Sequence, residues 1–452
     1  MAEGHIAVVG GGISGLGAAW LLSRRYRVTL FERNSYVGGH THTVEAMLPE
    51  GSTPVDTGFI VYNEPNYPAL TALFRHLDVP TQESDMSFAV SVVDEDVEWA
   101  GDSVGTLFAQ RRNLVSPRFL RMVADIVRFN AHARRYLRQG IPDTLTLGDY
   151  LQQRRMGRGF VDHYLLPMAA AIWSCSQASL RDFPLERFLR FFDQHGLIRL
   201  SNRPQWRTVT GGGREYVQRM LPALEASHTD TPVRRVHRDH EGVTLYGDQG
   251  LLGRFDQVVL AGHADETLAM LDRPTDGEAD LLGRFRYQTN EAILHTDPAL
   301  MPRRRAIWAS WNHLSRQGEN QQRPVSVSYW MNRLQRLSTT RDLFVTLNPI
   351  VPAREERVLR RMYYTHPVFD QGTRGAQALL PSLQGRERTW FCGSYFGYGF
   401  HEDGLQSALQ VARGLGVPAP WEPARQAAPA SAPVPAPQPD FTPAPAGETR
   451  HD

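Results

Sequence analysis

The chain has 452 residues, 41% apolar and 21% charged, so it can bury the cores of two or three domains and is not a fibrous or wholly disordered chain. Its 49 basic and 48 acidic residues leave a formal charge of +1, which excludes a global field for nucleic acid. Every basic residue is an arginine, which removes Schiff-base chemistry, a lysine general base and a P-loop lysine, and two cysteines, Cys175 and Cys392, are too few for a disulfide framework or a cysteine-rich zinc site.

The first segment is the most informative. His5–Val9 reads as a short buried strand, followed by the turn Gly10-Gly11-Gly12, a helix over Ile13–Leu22 and a second strand over Arg27–Phe31 closed by Glu32. This is a βαβ unit opened by G-x-G-x-x-G at Gly10, Gly12 and Gly15. Gly10 permits the tight turn, Gly12 lets backbone approach a pyrophosphate, and Gly15 lets helix and strand pack closely. The helix N-terminus, with Ser14 in its first turn, offers unpaired N–H groups to phosphates, and Glu32 is placed to bind an adenosine ribose beside Arg33. A second diglycine, Gly38-Gly39, continued by His40 and Thr41, brings another loop to the pyrophosphate and points to FAD rather than NAD. No second G-x-G-x-x-G follows, since Gly211-Gly212-Gly213 lacks the third glycine at the right spacing. That favours an oxidase or desaturase over a pyridine-nucleotide reductase.

No charged n-region with an apolar h-region opens the chain, and no uncharged apolar run reaches the roughly 18 residues of a membrane span, so a cytoplasmic location is expected. Residues 117–139 have a helical pattern and are unusually basic, with Phe119, Met122, Val123, Ile126 and Phe129 on one face among six arginines. This stretch either rests on an anionic bilayer at the inner face of the cell membrane or is a solvated helix with local ion pairs. Further along, Tyr164–Trp173 is a compact apolar stretch, Thr231–Tyr246 reads as paired strands with Val233 a cofactor candidate, and Gln257–Ala261 is a buried strand. Arg388–Gly393 reads as a strand entering a turn at Gly393. A helix then starts near Asp403 and Leu405; in flavoproteins of this class such a helix aims its N-terminal dipole at the flavin ring. After Pro418 the composition turns to Pro and Ala, the pattern of a disordered tail.

These strings resemble the flavin-containing amine oxidase superfamily, and within it a bacterial group of NAD/FAD-binding oxidoreductases. The resemblance rests on Asp56–Asn63, His163–Met168, Thr210–Val217, Leu300–Arg305, Ser328–Asn332, His366–Phe369 and Phe400–Leu405. It implies an α/β fold: a Rossmann-like FAD-binding domain of the two-dinucleotide-binding type with an inserted α+β substrate domain. The corresponding division is 1–70, 206–275 and 366–418 for the FAD-binding domain, 71–205 for a mainly helical cap, 276–365 for a substrate sheet and 419–452 for the tail. The group includes desaturases of methyl-branched phospholipid acyl chains in furan-fatty-acid formation and is often associated with lipid methyltransferases. The implied function is dehydrogenation of a fatty acyl chain by hydride transfer to flavin, with a lipid or small-molecule substrate and a lipid methyltransferase as partner. The alternatives are an amine oxidase and a flavin-binding scaffold for that methyltransferase.

Three departures from the superfamily stand out. No lysine exists to hold water against flavin N5, Gly38-Gly39 is followed by His40 instead of arginine, and Gly393-Ser394-Tyr395 replaces Gly-Thr-Glu. Candidate proton acceptors are His401, Glu402 and His366, each with a structural alternative. Tyr329, Trp330, Trp308, Trp311 and Trp173 either line an apolar tunnel or are ordinary core. His40 and His42 share a strand face, but without a third ligand no metal site is expected.

Overall fold

The computed structural model describes residues 3–142, 144–173, 179–199, 203–316 and 325–422. The expected tail over 419–452 is corrected at its start, where Ala419 is buried and Trp421 stacks on Trp20; the part beyond Glu422, Cys175 and the Trp173 side chain lie outside the described residues.

A five-stranded parallel sheet forms one lobe from segments scattered along the chain. It is built from β1 (His5–Val9), β2 (Arg27–Phe31), β3 (Ala226–His228), β4 (Gln257–Leu260) and β5 (Thr389–Phe391), in the order β3-β2-β1-β4-β5. Ile6, Ala7, Val8 and Val9 are all buried, as a central strand of a sheet covered on both faces requires. Helix α1 (Ile13–Leu22) crosses between β1 and β2 and is buried over its whole length, because the long helix α5 (His401–Gly414) lies against it. Gly17 makes that packing close, since a Cβ there would come within 2.9 Å of Leu405 Cδ1.

The second lobe is a seven-stranded mixed sheet. Its order is 358–368, 286–295, 344–347, 325–330, 311–315, 88–92 and 97–100, with only the 311–315 and 88–92 pair parallel. The two strands Phe88–Val92 and Val97–Ala100 come from the segment read from sequence as mainly helical, and they complete the edge of the substrate sheet. Ala89–Val92 and Glu98–Ala100 are buried, so both strands join the sheet by burying residues supplied from far along the chain. Helix α2 (Pro68–His76) packs against α5 in the core of the first lobe, while a helical layer that includes α3 (Pro117–Gln139) and α4 (Leu185–Gln194) covers the edge of the sheet at Val90, Val92 and Trp99. Its core is aromatic: Phe129, Phe160, Phe188 and Phe192 are fully buried.

Candidate functional site

The glycine turn has the geometry that its spacing requires. Gly10 has φ +104°, and a Cβ there would sit 2.9 Å from the Ala261 carbonyl oxygen. A Cβ on Gly15 would lie 1.9 Å from Gly10 O, so helix and strand touch through backbone. Gly12 is different: a Cβ there would meet only Gly39 Cα, at 4.0 Å. The second loop comes up to the first, with Gly38 N–H donating to Gly11 O at 2.9 Å and Gly12 bridging to Gly38. Gly38 and Gly39 have φ +140° and +58°, and a Cβ on Gly38 would collide with Thr41 O at 2.3 Å.

Helix α1 starts above this cleft with no side-chain cap, leaving first-turn N–H groups for an anion. Glu32 is buried and clamped, accepting from Gly11 N–H at 2.6 Å and Asn34 N–H at 2.8 Å, with lone pairs left for a ribose. Beside it, Thr231 N–H donates to Glu32 O, which brings Val233 and its short sheet to the same end. A backbone cradle open at Gly12, an uncapped helix N-terminus and a fixed ribose carboxylate together fit an adenine dinucleotide. Arg33 does not join them. It is exposed, beyond the end of β2, and paired with Glu266 at 2.7 Å.

At the other end of the cleft α5 begins at His401, two residues before the expected start. Ser14 and Gly404 bring α1 and α5 together, a Cβ on Gly404 falling 2.7 Å from Ser14 Oγ. Gly393 N–H donates to Ser407 Oγ at 2.9 Å and ties the strand end to α5. Asp403 folds the preceding loop by accepting from Phe400 N–H at 2.9 Å, and burial raises its carboxyl to about 6. Leu405 is core between the two helices.

The three candidate proton acceptors differ in surroundings. Glu402 turns away from the cleft: its oxygens accept from Ala69 N–H at 2.9 Å and Leu70 N–H at 3.0 Å, capping α2. An N-terminal dipole 333 positions away in sequence thus claims the carboxylate, which corrects the reading of Glu402 as a base. His401 faces the cleft. Its ring stacks on Phe59 with centroids 3.8 Å apart, and its Nε2 lies 2.8 Å from Thr41 Oγ1 and 3.2 Å from Tyr216 OH. Burial lowers it to about 3. His366 Nδ1 receives the Asn290 amide at 2.8 Å, which places the ring proton on Nε2, and burial lowers it to about 4. Its ring lies 5.1 Å from that of His40, whose Nε2 is buried without a partner. His40 is likewise held neutral, by burial first and then by His366. His42 turns elsewhere, stacked on Tyr36 and bonded to Tyr364 OH at 2.8 Å.

Two contributors escape sequence reading. Tyr216 reaches His401 from the helix Arg214–Met220, which the triple glycine seats against the cleft. Gly213 N–H donates to Asp56 at 2.9 Å, and Gly212, at φ +93°, leaves no room for a Cβ beside Thr43. Gly211-Gly212-Gly213 is therefore a docking turn and not a phosphate loop. Phe191, His195, Phe400 and Trp206 form the second contributor, an aromatic wall beside the loop before His401, with Phe191 and Phe400 stacked at 5.0 Å. Of the tunnel candidates, Trp308 and Trp330 pack with Phe344 as core of the sheet lobe, while Trp311 and Tyr329 meet edge to face at 4.9 Å.

Residues 13–415 match the family model described as flavin containing amine oxidoreductase. No curated protein matches the sequence. Among solved structures, a fatty acid isomerase from P. acnes that produces CLA superposes with TM-score 0.64 at 15% identity, over 91% of this chain and 98% of that one. Cyclohexylamine oxidase from Brevibacterium oxydans gives 0.63 at 15% identity, over 91% and 99%. Wild-type putrescine oxidase bound to putrescine gives 0.63 at 16% identity, over 91% and 98%. These likenesses show a shared fold.

Proposed function

The chain belongs to the flavin containing amine oxidoreductase family and is an FAD-dependent oxidoreductase, and from that premise we propose that it dehydrogenates an unsaturated or methyl-branched fatty acyl chain of a phospholipid. The observation that carries this reading is how the groups at the start of α5 are committed: burial holds His401, His366 and His40 neutral, Glu402 caps α2, and the buried Asp403 accepts from Phe400 N–H within its own turn. A cationic amine would meet no free carboxylate there, whereas an apolar chain would meet Phe59, Phe400 and Phe191. One fold neighbour is described as a fatty acid isomerase and others as amine oxidases, so the fold serves both classes and the side chains decide.

Gly12, Gly38, Gly39, Glu32 and the α1 N-terminus would hold FAD, which when bound would supply the acceptor for the hydride that the substrate loses. The remaining product of dehydrogenation is one proton from the adjacent carbon. His401 receives it. In the tautomer that donates Nε2–H to Thr41 Oγ1, Nδ1 keeps the lone pair that takes the proton. A base this weak suffices when hydride departs first from an allylic, methyl-branched position, because the neighbouring C–H is then strongly acidic. Tyr216 and Thr41 fix the ring, and Phe59 keeps it flat against the cleft.

Anaerobic mixing of the FAD-loaded protein with phospholipids bearing methyl-branched monounsaturated chains tests this. Bleaching of the flavin with a conjugated diene appearing in the lipid is expected. Bleaching by a panel of amines but not by the lipid would overturn the acyl reading in favour of amine oxidation.

A further inference from the structure

We propose that the outer face of α3 docks the protein on an anionic phospholipid bilayer. Residues 103–139 contain eight arginines and one acidic residue, Asp125, a net of +7 in a chain whose total is +1. Asp125 is buried and takes both Arg121 and Arg128, while Arg112 and Arg118 pair with Asp96 and Glu95. Arg111, Arg134, Arg135 and Arg138 have no carboxylate within 4.0 Å among the described residues. Four solvent-facing guanidinium groups without counter-charges on one helix and its approach attract a negative surface.

The face is not merely basic. The buried side of α3 carries Phe119, Met122 and Phe129, as an amphipathic helix should. Its exposed side carries a second apolar row, Leu120, Ala124, Val127 and Ala131, spaced four, three and four residues apart. Leu120 is 44% and Val127 54% exposed, and the row continues at the helix start into Leu114 and Val115, 53% and 80% exposed. A solvated helix has no use for leucine and valine along its outer ridge. Apolar side chains flanked by arginines are the composition of a surface that enters the headgroup region while its charges meet phosphates.

The position suits this partner. At the C-terminal end of α3 a cleft of about 410 Å³ is lined by Arg134, Arg138 and Arg190 with Asp193. The last two belong to α4, whose Phe191, with His195 just past its end, reaches Phe400 beside the N-terminal end of α5. One helix thus separates the docking face from the aromatic wall of the cleft. The docking stands apart from the identity of the substrate and is read without turnover.

The test is co-sedimentation of the FAD-loaded protein with vesicles of phosphatidylcholine alone or mixed with phosphatidylglycerol, at low and high salt. Wild type should sediment only with the mixed vesicles and less at high salt. Arg111→Glu/Arg135→Glu/Arg138→Glu should lower partitioning by about a hundredfold. Leu120→Ser/Val127→Ser should weaken it about tenfold or more at both salts. All five positions are exposed, so an unchanged flavin spectrum and melting temperature verify that the variants fold. Equal sedimentation of wild type and both variants, or none with phosphatidylglycerol at low salt, overturns the proposal. A wild-type dimer that Leu120→Ser/Val127→Ser dissociates, without vesicle binding, would overturn it in favour of a second copy on this face.

Discussion

Gly12 and Gly15 sit three residues apart in one motif and answer to different physics. A side chain on Gly15 would overlap the Gly10 carbonyl, whereas one on Gly12 would point at open space before Gly39, with φ at an ordinary −69°. Gly15→Ala is therefore a folding defect, costing roughly 3 kcal/mol by overpacking. Gly12→Val should fold with a change under about 1 kcal/mol and fail to hold FAD, because its branched side chain fills the pyrophosphate cradle. Thermal melts of the apoproteins beside FAD titrations separate the two; a Gly12→Val protein that binds FAD normally would refute the cradle. The same resolution applies to His401. His401→Phe keeps the ring against Phe59 and removes both nitrogens, so FAD should stay bound while lipid-dependent bleaching slows about 10²–10⁴-fold. An unchanged rate would take His401 out of the proton path.

Elements explain why Glu402, next to His401 at the start of α5, is not interchangeable with it. Glu402 supplies the cap that α2 lacks, since Tyr67 at its N-cap makes no side-chain bond. Glu402→Ala should cost about 1–2 kcal/mol of stability, with Glu402→Gln recovering part of it, while the bleaching rate per bound flavin stays near wild type. A large loss of rate with an unchanged melt would return Glu402 to the chemistry. This contact also marks where sequence stops being legible. The glycine motif, its helix and Glu32 are read correctly because their physics is local to one βαβ unit, and α5 is read nearly to its first residue because its helical pattern is carried by its own segment. The capping of α2 by Glu402 depends on which helix end the fold brings alongside, and no local pattern encodes that. Tyr216 reaching His401, the triple glycine gripping Asp56 and the strands at 88–100 closing the substrate sheet are the same kind of event. The apolar ridge on the outside of α3 is a different case. Its spacing is visible in the chain, but the inner row of phenylalanines masks it until burial tells the two faces apart.

Across the whole molecule, buried neutral histidine is a recurring device with a consequence for acid stability. Burial holds His195, His295 and His366 at about 4 and His313 and His401 at about 3. In the unfolded chain each would titrate near 6.5. Below that value the unfolded chain takes up protons that the native fold refuses, so this stability is complete above about pH 6.5 and drains away toward pH 4. Two buried carboxyls act in the opposite sense. Asp56 and Asp403, raised to about 7 and about 6, bind protons in the native state that the unfolded chain has released, and their contribution fades as pH rises through those values. Five imidazoles outweigh two carboxyls, so stability should climb from pH 4 to 6.5 by about 1.4 kcal/mol per pH unit for each net proton. His313 isolates the effect. It lies on the strand Trp311–Ser315 between Val90 and Val327, with both ring nitrogens buried and unpartnered, far in sequence from the glycine turn. His313→Phe removes one proton site and two unsatisfied atoms while keeping a ring of similar shape. Its melting temperature should exceed wild type by more at pH 5 than at pH 8, with FAD affinity unchanged. Parallel melting curves for the two proteins across that range would show that His313 is not held neutral by the fold.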